Sequence, residues 1–195
     1  MADLRDQELV ASIRGGNAHA FVELIRRHHG RVRGLCASLL DDQSELDDAV
    51  QEVFLKVHRS LDKFHGDSAF STWLYRVAMN HCLDVRRRVA RRRTQSLDAI
   101  LESEGEAVSR FLEGSRRERD PAEEAEERAA ALAVLSSLPD DYREILALRE
   151  TQGLSYDEIA SVLECSLDAV KARLRRARVE LREKLRHFVK EEQSN

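Results

Sequence analysis

Basic side chains concentrate near the end of the chain, on a segment whose apolar residues recur every three or four positions. Such spacing predicts a helix with one buried stripe, here formed by Leu167, Val170, Leu174, Ala177, Leu181, Leu185 and Phe188. The basic residues fall outside the stripe: Lys171, Arg173, Arg175, Arg176, Arg178, Arg182, Lys184 and Arg186. Basic groups bind phosphates by charge, and arginine binds guanine through paired hydrogen bonds. The exposed face is therefore predicted to meet a DNA duplex, although basic amphipathic helices also occur without that role.

A short helix and a turn precede this basic helix. Ser155 followed three residues later by Glu158 is a capping-box pattern, so a helix is predicted over Tyr156–Leu163. Residues 164–166 then form a three-residue turn, which is the length that helix-turn-helix motifs use. Residues 154–185 are accordingly interpreted as a helix-turn-helix.

Charge is sorted into blocks along a chain whose formal net charge is only −4. Residues 41–52 include six acidic residues and no basic one, whereas residues 86–93 include six arginines in eight positions. From residue 94 to residue 130, acidic residues outnumber basic residues eleven to five. The order is thus an acidic patch, a basic patch, an acidic connector and a basic end.

Composition favours an all-α fold. The 195 residues are 42% hydrophobic, with eight glycines and two prolines, and no useful β alternation appears. Apolar runs are far below the roughly 18 residues of a membrane span, and no signal-peptide core begins the chain. Three well-separated cysteines, Cys36, Cys82 and Cys165, predict reduced buried thiols and a cytoplasmic location.

No chemistry beyond binding is predicted. His28 and His29 are adjacent and would point about 100° apart on a helix, so a shared metal ion is not expected. No nucleophile with its base, glycine-rich phosphate loop or framed carboxylate pair is visible. The sequence therefore predicts no catalytic residues, no metal and no cofactor.

The chain divides into two predicted helical domains, at residues 1–93 and 124–195, joined by an acidic linker at residues 94–123. The first domain is expected to contain helices near residues 6–14, 18–40, 44–64 and 68–92, and the second a helix near residues 142–150 before the helix-turn-helix. Trp73 shares an apolar stripe with Phe70 and Val77, so it is interpreted as a core residue. Two small domains on a long tether could bind two separated sites on one partner.

Three motifs, in one order and spacing, carry a family resemblance over almost the whole chain. They are DDAVQEVFLKVHRSLDKF, HGDSAFSTWLYRVAMNHCLDVRRR and SLPDDYREILALRETQGLSYDEIASVLECSLDAVKARLRRAR. The sequence resembles bacterial RNA polymerase sigma factors of the extracytoplasmic-function type, group IV. The resemblance implies a region-two helical bundle, a region-four helix-turn-helix, and promoter-specific transcription initiation with core RNA polymerase.

The resemblance also implies roles for individual residues. The family helix that docks on the polymerase β′ clamp coiled coil matches Asp48, Gln51, Glu52, Phe54 and His58, and the β flap is a further expected partner. The segment that opens the minus-ten element matches His65, Asp67, Ser68 and Asn80, with Arg86 and Arg87 as phosphate contacts. The positions that face the minus-35 element match Arg149, Lys171, Arg173, Arg175 and Arg176.

One departure concerns the recognition helix. The family often has Gly-Thr at its start and a serine inside it, where this chain has Asp168, Ala169 and Ala172. An acidic group that faced DNA would repel phosphate, so the family's base preference is not carried over. The acidic linker is expected to occupy polymerase channels, with a merely soluble tether as the alternative.

Family members are usually controlled by an anti-sigma factor, and this chain shows no sensor of its own. A stand-alone helix-turn-helix regulator would explain the second domain but would leave the acidic helix at residues 47–64 without a role. An enzyme would need a catalytic cluster, and an adaptor would not need the helix-turn-helix spacing. Binding to core polymerase separates the sigma-factor interpretation from these alternatives.

Overall fold

The computed structural model describes residues 2–96, 132 and 134–192. The α-helices of these residues are α1 (Ala2–Arg14), α2 (Ala18–Leu39), α3 (Leu46–Ser60), α4 (Phe70–Ser96), α5 (Asp140–Leu146), α6 (Tyr156–Leu163) and α7 (Leu167–Glu192). No β-strand occurs in the part of the chain that the structure describes, and the predicted all-α class is confirmed. The predicted acidic linker lies outside the described residues, apart from residues 94–96 at the end of α4.

Several helix ends differ from the sequence-based prediction. The single helix expected over residues 44–64 is shorter, because 3₁₀ turns Gln43–Glu45 and Leu61–Lys63 flank α3. The Asp42 carboxylate caps the first of these turns by accepting the backbone N–H of Ser44. After the second turn, Phe64 adopts extended backbone angles, so a loop separates it from α4.

In the second half of the chain, the helix expected over residues 142–150 lies within a longer helical stretch, residues 140–151. The stretch begins at Asp140, directly after Pro139, whose ring suits the start of a helix. Its α-helical part, α5, ends at Leu146 and passes into a wider π-helical turn, Ala147–Thr151. The helix-turn-helix prediction is confirmed in detail, since α6 spans the residues predicted for it.

Helices α1 to α4 form the first block, whose core lies where α2, α3 and α4 meet. Leu35, Val53, Leu74 and Ala78 are fully buried there. Trp73 is half-buried, with its ring centroid 5.5 Å from that of Phe64 and 5.8 Å from that of Phe70. Its packing agrees with the core role predicted from sequence. Burial of these side chains is the main force that assembles the block.

Helices α5, α6 and α7 form the second block. The α7 stripe is buried at Val170, Leu174 and Ala177 and half-buried at Leu181 and Leu185, while the side chain of Phe188 lies outside the described part. Leu167, the first residue of α7, is exposed, contrary to prediction.

The two blocks pack against each other, which the sequence did not predict. Helix α2 contacts α5 and the π-helical turn, and α4 contacts α6. Nearly all of the buried apolar side chains of both blocks belong to one continuous cluster. None of the helices in the described ranges combines the length and apolarity needed to cross a membrane.

Candidate nucleic-acid and protein interfaces

The helix-turn-helix is built by local hydrogen bonds. The Ser155 hydroxyl accepts the backbone N–H of Glu158 at 3.3 Å, and the Glu158 carboxylate accepts the backbone N–H of Ser155 at 2.7 Å. The turn after α6 is possible because Glu164 adopts left-handed backbone angles, with φ of 50°. The Ser166 hydroxyl then accepts the N–H of Ala169 in the first turn of α7.

The basic face of α7 is partly free and partly paired. Lys171, Arg175 and Arg176 are exposed. Among the described residues, Arg175 and Arg176 form no ion pair. Arg173 is less accessible, with 28% of its side chain exposed and its Nε 3.8 Å from Asp141. Arg178 pairs with Glu150 at 2.8 Å. To bind a phosphate, Arg175 and Arg176 would thus break no ion pair with a described residue.

Arg149, predicted to face the minus-35 element, supports the start of the helix-turn-helix. Its Nη1 donates to the carbonyl oxygen of Leu154 at 2.6 Å. Its guanidinium carbon lies 5.1 Å from the centroid of the Tyr156 ring, a cation–π arrangement. The side chain therefore orients the segment that leads into α6.

The loop between α3 and α4 presents the residues predicted for the minus-ten element. His65 and Asp67 are exposed and Ser68 is half-buried. Gly66 has φ of +84°, which glycine adopts without the steric cost that a side chain would add. The loop is closed at its base, where the rings of Phe64 and Phe70 meet edge to face at 5.5 Å. Asn80 is exposed on α4.

The two predicted phosphate contacts on α4 differ in availability. Arg87 has 69% of its side chain exposed and pairs weakly with Asp84 at 3.7 Å. Arg86 has only 12% exposed, with its Nε 3.6 Å from Asp41 and its Nη2 paired with Asp140 in the second block. In the docked arrangement, Arg86 therefore connects the two blocks instead of facing solvent.

Three of the predicted polymerase-binding residues, Gln51, Phe54 and His58, line a groove between α2 and α3, whereas Asp48 and Glu52 line a separate cavity between α3 and α4. Asp48, Gln51 and His58 are exposed and Glu52 is half-buried. Phe54 is only 7% exposed. Its ring stacks on that of His29 at 6.3 Å and 5°, and the ring of His58 meets Phe21 edge to face at 4.9 Å.

This groove is open and apolar. It encloses about 560 Å³, with Phe21, Ile25, Val50, Phe54 and Leu55 among its lining residues. Leu55 is 41% exposed within it, and Val22, 62% exposed, is a further large apolar side chain on α2. An apolar groove with Asp47, Gln51 and His58 also lining it is suited to a protein helix with apolar and basic side chains.

A second cavity, of about 700 Å³, lies between α3 and α4. His81 lines it and is 4% exposed, and its Nδ1 has no hydrogen-bond partner among the described residues. Burial lowers the pKa of His81, and the charges of Lys56 and Arg88 lower it further, while Glu52 and Asp84 oppose the shift. Neutral imidazole is consequently the favoured form in the folded chain.

Sequence reasoning missed the polar contacts between the blocks. Arg143, on α5, is 2% exposed, and its Nη1 donates to Asp41 Oδ1 at 2.6 Å and to the Leu39 carbonyl oxygen at 3.3 Å. The Arg76 Nη2 donates to the Ser161 carbonyl oxygen at 2.7 Å. One signal for Arg143 was available, because it lies three positions before Leu146 on the apolar side of α5.

Cys36 and Cys82 are buried free thiols, and Cys165 is a half-buried one. A hydrogen bond with Cys82, together with burial, raises the pKa of the Cys36 thiol, so thiolate chemistry is disfavoured there. Across the described residues, no group of three or more His, Cys, Asp or Glu side chains is arranged to bind a metal ion.

Comparison with known proteins agrees with this architecture. The Sigma-70 region 2 family matches residues 24–93, and the Sigma-70, region 4 family matches residues 128–181. The chain is 36% identical to the RNA polymerase sigma-H factor of Pseudomonas aeruginosa, over 96% of this chain and 97% of that protein. It is 37% identical to the ECF RNA polymerase sigma-E factor of Escherichia coli K12, over the same shares of both chains.

Two solved structures are similar over most of their length. CnrH, in complex with the cytosolic domain of CnrY, matches with a TM-score of 0.69 and 28% identity, covering 94% of this chain and 98% of that chain. The sigma factor RpoE of Bartonella quintana, in complex with the anti-sigma factor NepR, matches in fold with a TM-score of 0.66 and 23% identity, covering 85% and 96%. With both regions matched and full-length relatives above 30% identity, the chain belongs to the extracytoplasmic-function RNA polymerase sigma factors.

Proposed function

We propose that this chain binds core RNA polymerase and directs it to a class of promoters through minus-35 and minus-ten elements. The observation that carries the proposal is the helix-turn-helix of α6 and α7, whose buried stripe leaves Lys171, Arg175 and Arg176 on the exposed face. The chain acts by binding, not by catalysing a reaction. Its place of action is the cytoplasm, where polymerase and promoters are found.

The polymerase-docking surface in this proposal is the groove between α2 and α3. Gln51 and Asp47 supply an exposed polar edge, and Phe54 and Leu55 supply an apolar floor. A helical coiled coil such as the β′ clamp could place apolar side chains in the groove and basic ones against the acidic edge. Residues 1–93 thus form the domain that docks on core and meets the minus-ten element.

The minus-ten element is assigned to the loop of residues 65–69 and to α4. Polar side chains at His65, Asp67 and Ser68 surround a glycine turn, which gives an extruded base both hydrogen-bonding groups and close backbone approach. Asn80 and Arg87 extend this surface along α4. Arg87 is suited to a phosphate.

The minus-35 element is assigned to α7, within residues 124–195. In helix-turn-helix proteins the N-terminal residues of the second helix contact base edges in the major groove. Lys171, Arg173, Arg175 and Arg176 occupy that part of α7. Arg173 would have to leave Asp141 to reach DNA, whereas Arg175 and Arg176 already face solvent.

This assignment requires the two blocks to separate. Elements about 25 base pairs apart are about 85 Å apart on B-DNA, at about 3.4 Å per base pair. In the docked arrangement α4 and α6 are in direct contact, and Arg86 pairs with Asp140 of the other block. The docked chain therefore cannot read both elements at once, and opening precedes or accompanies promoter binding.

An anti-sigma factor is the proposed regulator, and the groove between α2 and α3 is its proposed binding surface. The relatives CnrH and Bartonella RpoE are each solved in complex with another protein, named as an anti-sigma factor in the second case. A regulator that covers this groove would compete with core polymerase. Competition binding tests this directly, and a regulator that binds simultaneously with core would contradict it.

The test of the function is reconstituted transcription on a promoter library with core polymerase, with sequencing of the transcripts. Gln51→Ala should reduce core binding, with Gln7→Ala, at an exposed position of α1, as its matched control. Arg175→Ala should reduce initiation at promoters that depend on their minus-35 element, with exposed Arg26→Ala as control. If the wild-type chain neither binds core nor starts transcripts but still binds duplex DNA, the sigma function is wrong and a stand-alone regulator replaces it.

A further inference from the structure

Arg14, the last residue of α1, contacts the backbone just before the minus-ten loop. Its Nη2 donates to the carbonyl oxygen of Leu61 at 2.9 Å and also to that of Phe64. These partners are 47 and 50 residues away along the chain. Both carbonyls belong to the short turn that ends α3 and leads directly into His65.

Carbonyl groups at the end of a helix lack intrahelical donors and carry partial negative charge. A guanidinium is well suited to them because it offers several donors in a fixed plane together with a positive charge. The Leu61 carbonyl oxygen already accepts the N–H of Phe64 at 3.1 Å, so Arg14 adds a second bond to that oxygen and a further bond to the carbonyl oxygen of Phe64. The first end of the loop is thereby fixed to α1.

The second end of the loop is fixed by aromatic packing. The rings of Phe64 and Phe70 meet at 87°, and Trp73 contacts both of them. Residues 65–69 therefore project from a base anchored on one side by Arg14 and on the other by Phe70. Movement of that base would move the polar side chains of the loop, His65, Asp67 and Ser68, which are assigned to the minus-ten element.

Helix α1 is itself held rigidly, as an anchor must be. The Asp6 carboxylate is 4% exposed and lies 2.9 Å from Nε2 of buried His28 on α2. Arg27 reaches the other oxygen of Asp6 at 3.3 Å, and Val10 is 2% exposed. The region-two family match begins only at residue 24, so α1 and Arg14 lie outside the matched segment.

We propose that Arg14 is a positioning residue for promoter opening, which makes α1 a functional part of the minus-ten apparatus. The inference rests on the proposed function, since it assigns Arg14 to the loop that this function uses. A positioning role for Arg14 differs from a purely stabilising role in the first block by its expected effects. A merely stabilising residue would affect core binding and folding to the same degree as promoter opening.

The experiment measures open complexes by permanganate reactivity of unpaired thymines, using full-length chain in holoenzyme with core at saturating concentration. Arg14→Gln, which removes the charge and shortens the reach, is compared with Arg14→Lys, which can keep one charged bond. The control is Arg26→Gln, an arginine with 74% of its side chain exposed on neighbouring α2. Core affinity and thermal unfolding are measured for the same four proteins.

We expect Arg14→Gln to lower open complexes about tenfold, as for loss of a charge-assisted hydrogen bond, with core affinity and closed-complex formation unchanged. Arg14→Lys should be intermediate, and Arg26→Gln should equal the wild type. If Arg14→Gln matches the wild type, or if its defect follows reduced core affinity and disappears at saturation, the inference is overturned and the sigma function stands. If wild-type holoenzyme opens no promoter, the proposed function fails and the inference falls with it.

Discussion

Replacing Asp41 with asparagine should weaken the contact between the two helical blocks. Asp41 follows α2, and its two oxygens lie 2.6 Å from Arg143 Nη1 and 3.6 Å from Arg86 Nε. Arg143 belongs to the second block and is 2% exposed. The substitution leaves a buried guanidinium without its carboxylate while hardly changing side-chain size.

The magnitude follows from the burial of the two partners. Removing one member of a buried ion pair costs about 3–5 kcal/mol, whereas an exposed pair contributes about 0–1 kcal/mol. Asp41 is 42% exposed, and Arg143 keeps bonds to the carbonyls of Leu39 and Ser136. An asparagine amide oxygen can still accept one hydrogen bond. We therefore expect Asp41→Asn to lower the free energy of unfolding by about 2 kcal/mol, between those limits.

Urea unfolding followed by circular dichroism gives the stability change, and small-angle X-ray scattering gives the radius of gyration. Because the pair joins the two blocks, the radius of gyration of Asp41→Asn should exceed that of the wild type before unfolding begins. The control is Asp84→Asn, since Asp84 pairs with Arg87 at 3.7 Å and both side chains are more than half exposed. That variant should lose less than about 0.5 kcal/mol and keep its shape. If the two variants behave alike in both measurements, the Asp41–Arg143 pair does not maintain the docked arrangement.

Three further changes test other parts of the structure. Burial and neighbouring cations lower the pKa of His81 in the folded chain below its usual 6.5. As the pH falls through 6.5, His81 therefore takes up a proton more readily in the unfolded chain than in the folded chain. The free energy of unfolding should consequently decrease below pH 6.5. Between pH 7.5 and pH 5.5, the free energy of unfolding measured in urea should fall less in His81→Gln than in the wild type, by up to about 1.4 kcal/mol per pH unit. An equal fall in both proteins would contradict the lowered pKa of His81. Ser155→Ala removes one half of the capping box and should lower the free energy of unfolding by about 1 kcal/mol in the same assay, while a change close to zero would show that the cap contributes little. Arg176→Gln should weaken holoenzyme binding to minus-35 duplexes and reduce the log–log salt slope by about 1, and a slope equal to that of the control Arg26→Gln would remove Arg176 from the phosphate contacts.

Local patterns in the sequence predicted much of the structure of the second block. The buried side of α7 at Val170, Leu174 and Ala177 follows from a period of 3.6 residues, which any amphipathic helix must show to cover a core. The capping box at Ser155 and Glu158 is equally local, since both partners lie within one helical turn. Such features depend on residues only a few positions apart, and they can therefore be predicted from the sequence alone.

Backbone changes at element ends were harder to predict. The sequence around α3 continues its apolar period into Leu61, so a longer helix was expected, yet the chain turns into an extended conformation at Phe64. The ring of Phe70 and the guanidinium of Arg14 stabilise that turn from other parts of the chain. Periodicity describes which face is buried but not where a distant side chain will end the helix.

What the sequence determined by itself is therefore the helical class, most of the buried stripe of α7, the helix-turn-helix and the family to which the chain belongs. Only the tertiary structure decided which charged residues are free and which are paired. In the sequence, Arg86 is one of six similar arginines. In the structure, it pairs with Asp140, 54 residues away, whereas Arg87 beside it stays exposed. Arg143 becomes a buried partner of Asp41 across 102 residues. The physical reason is that such pairs depend on the relative orientation of docked helices, which arises from the packing of whole surfaces and leaves no periodic signal in the chain.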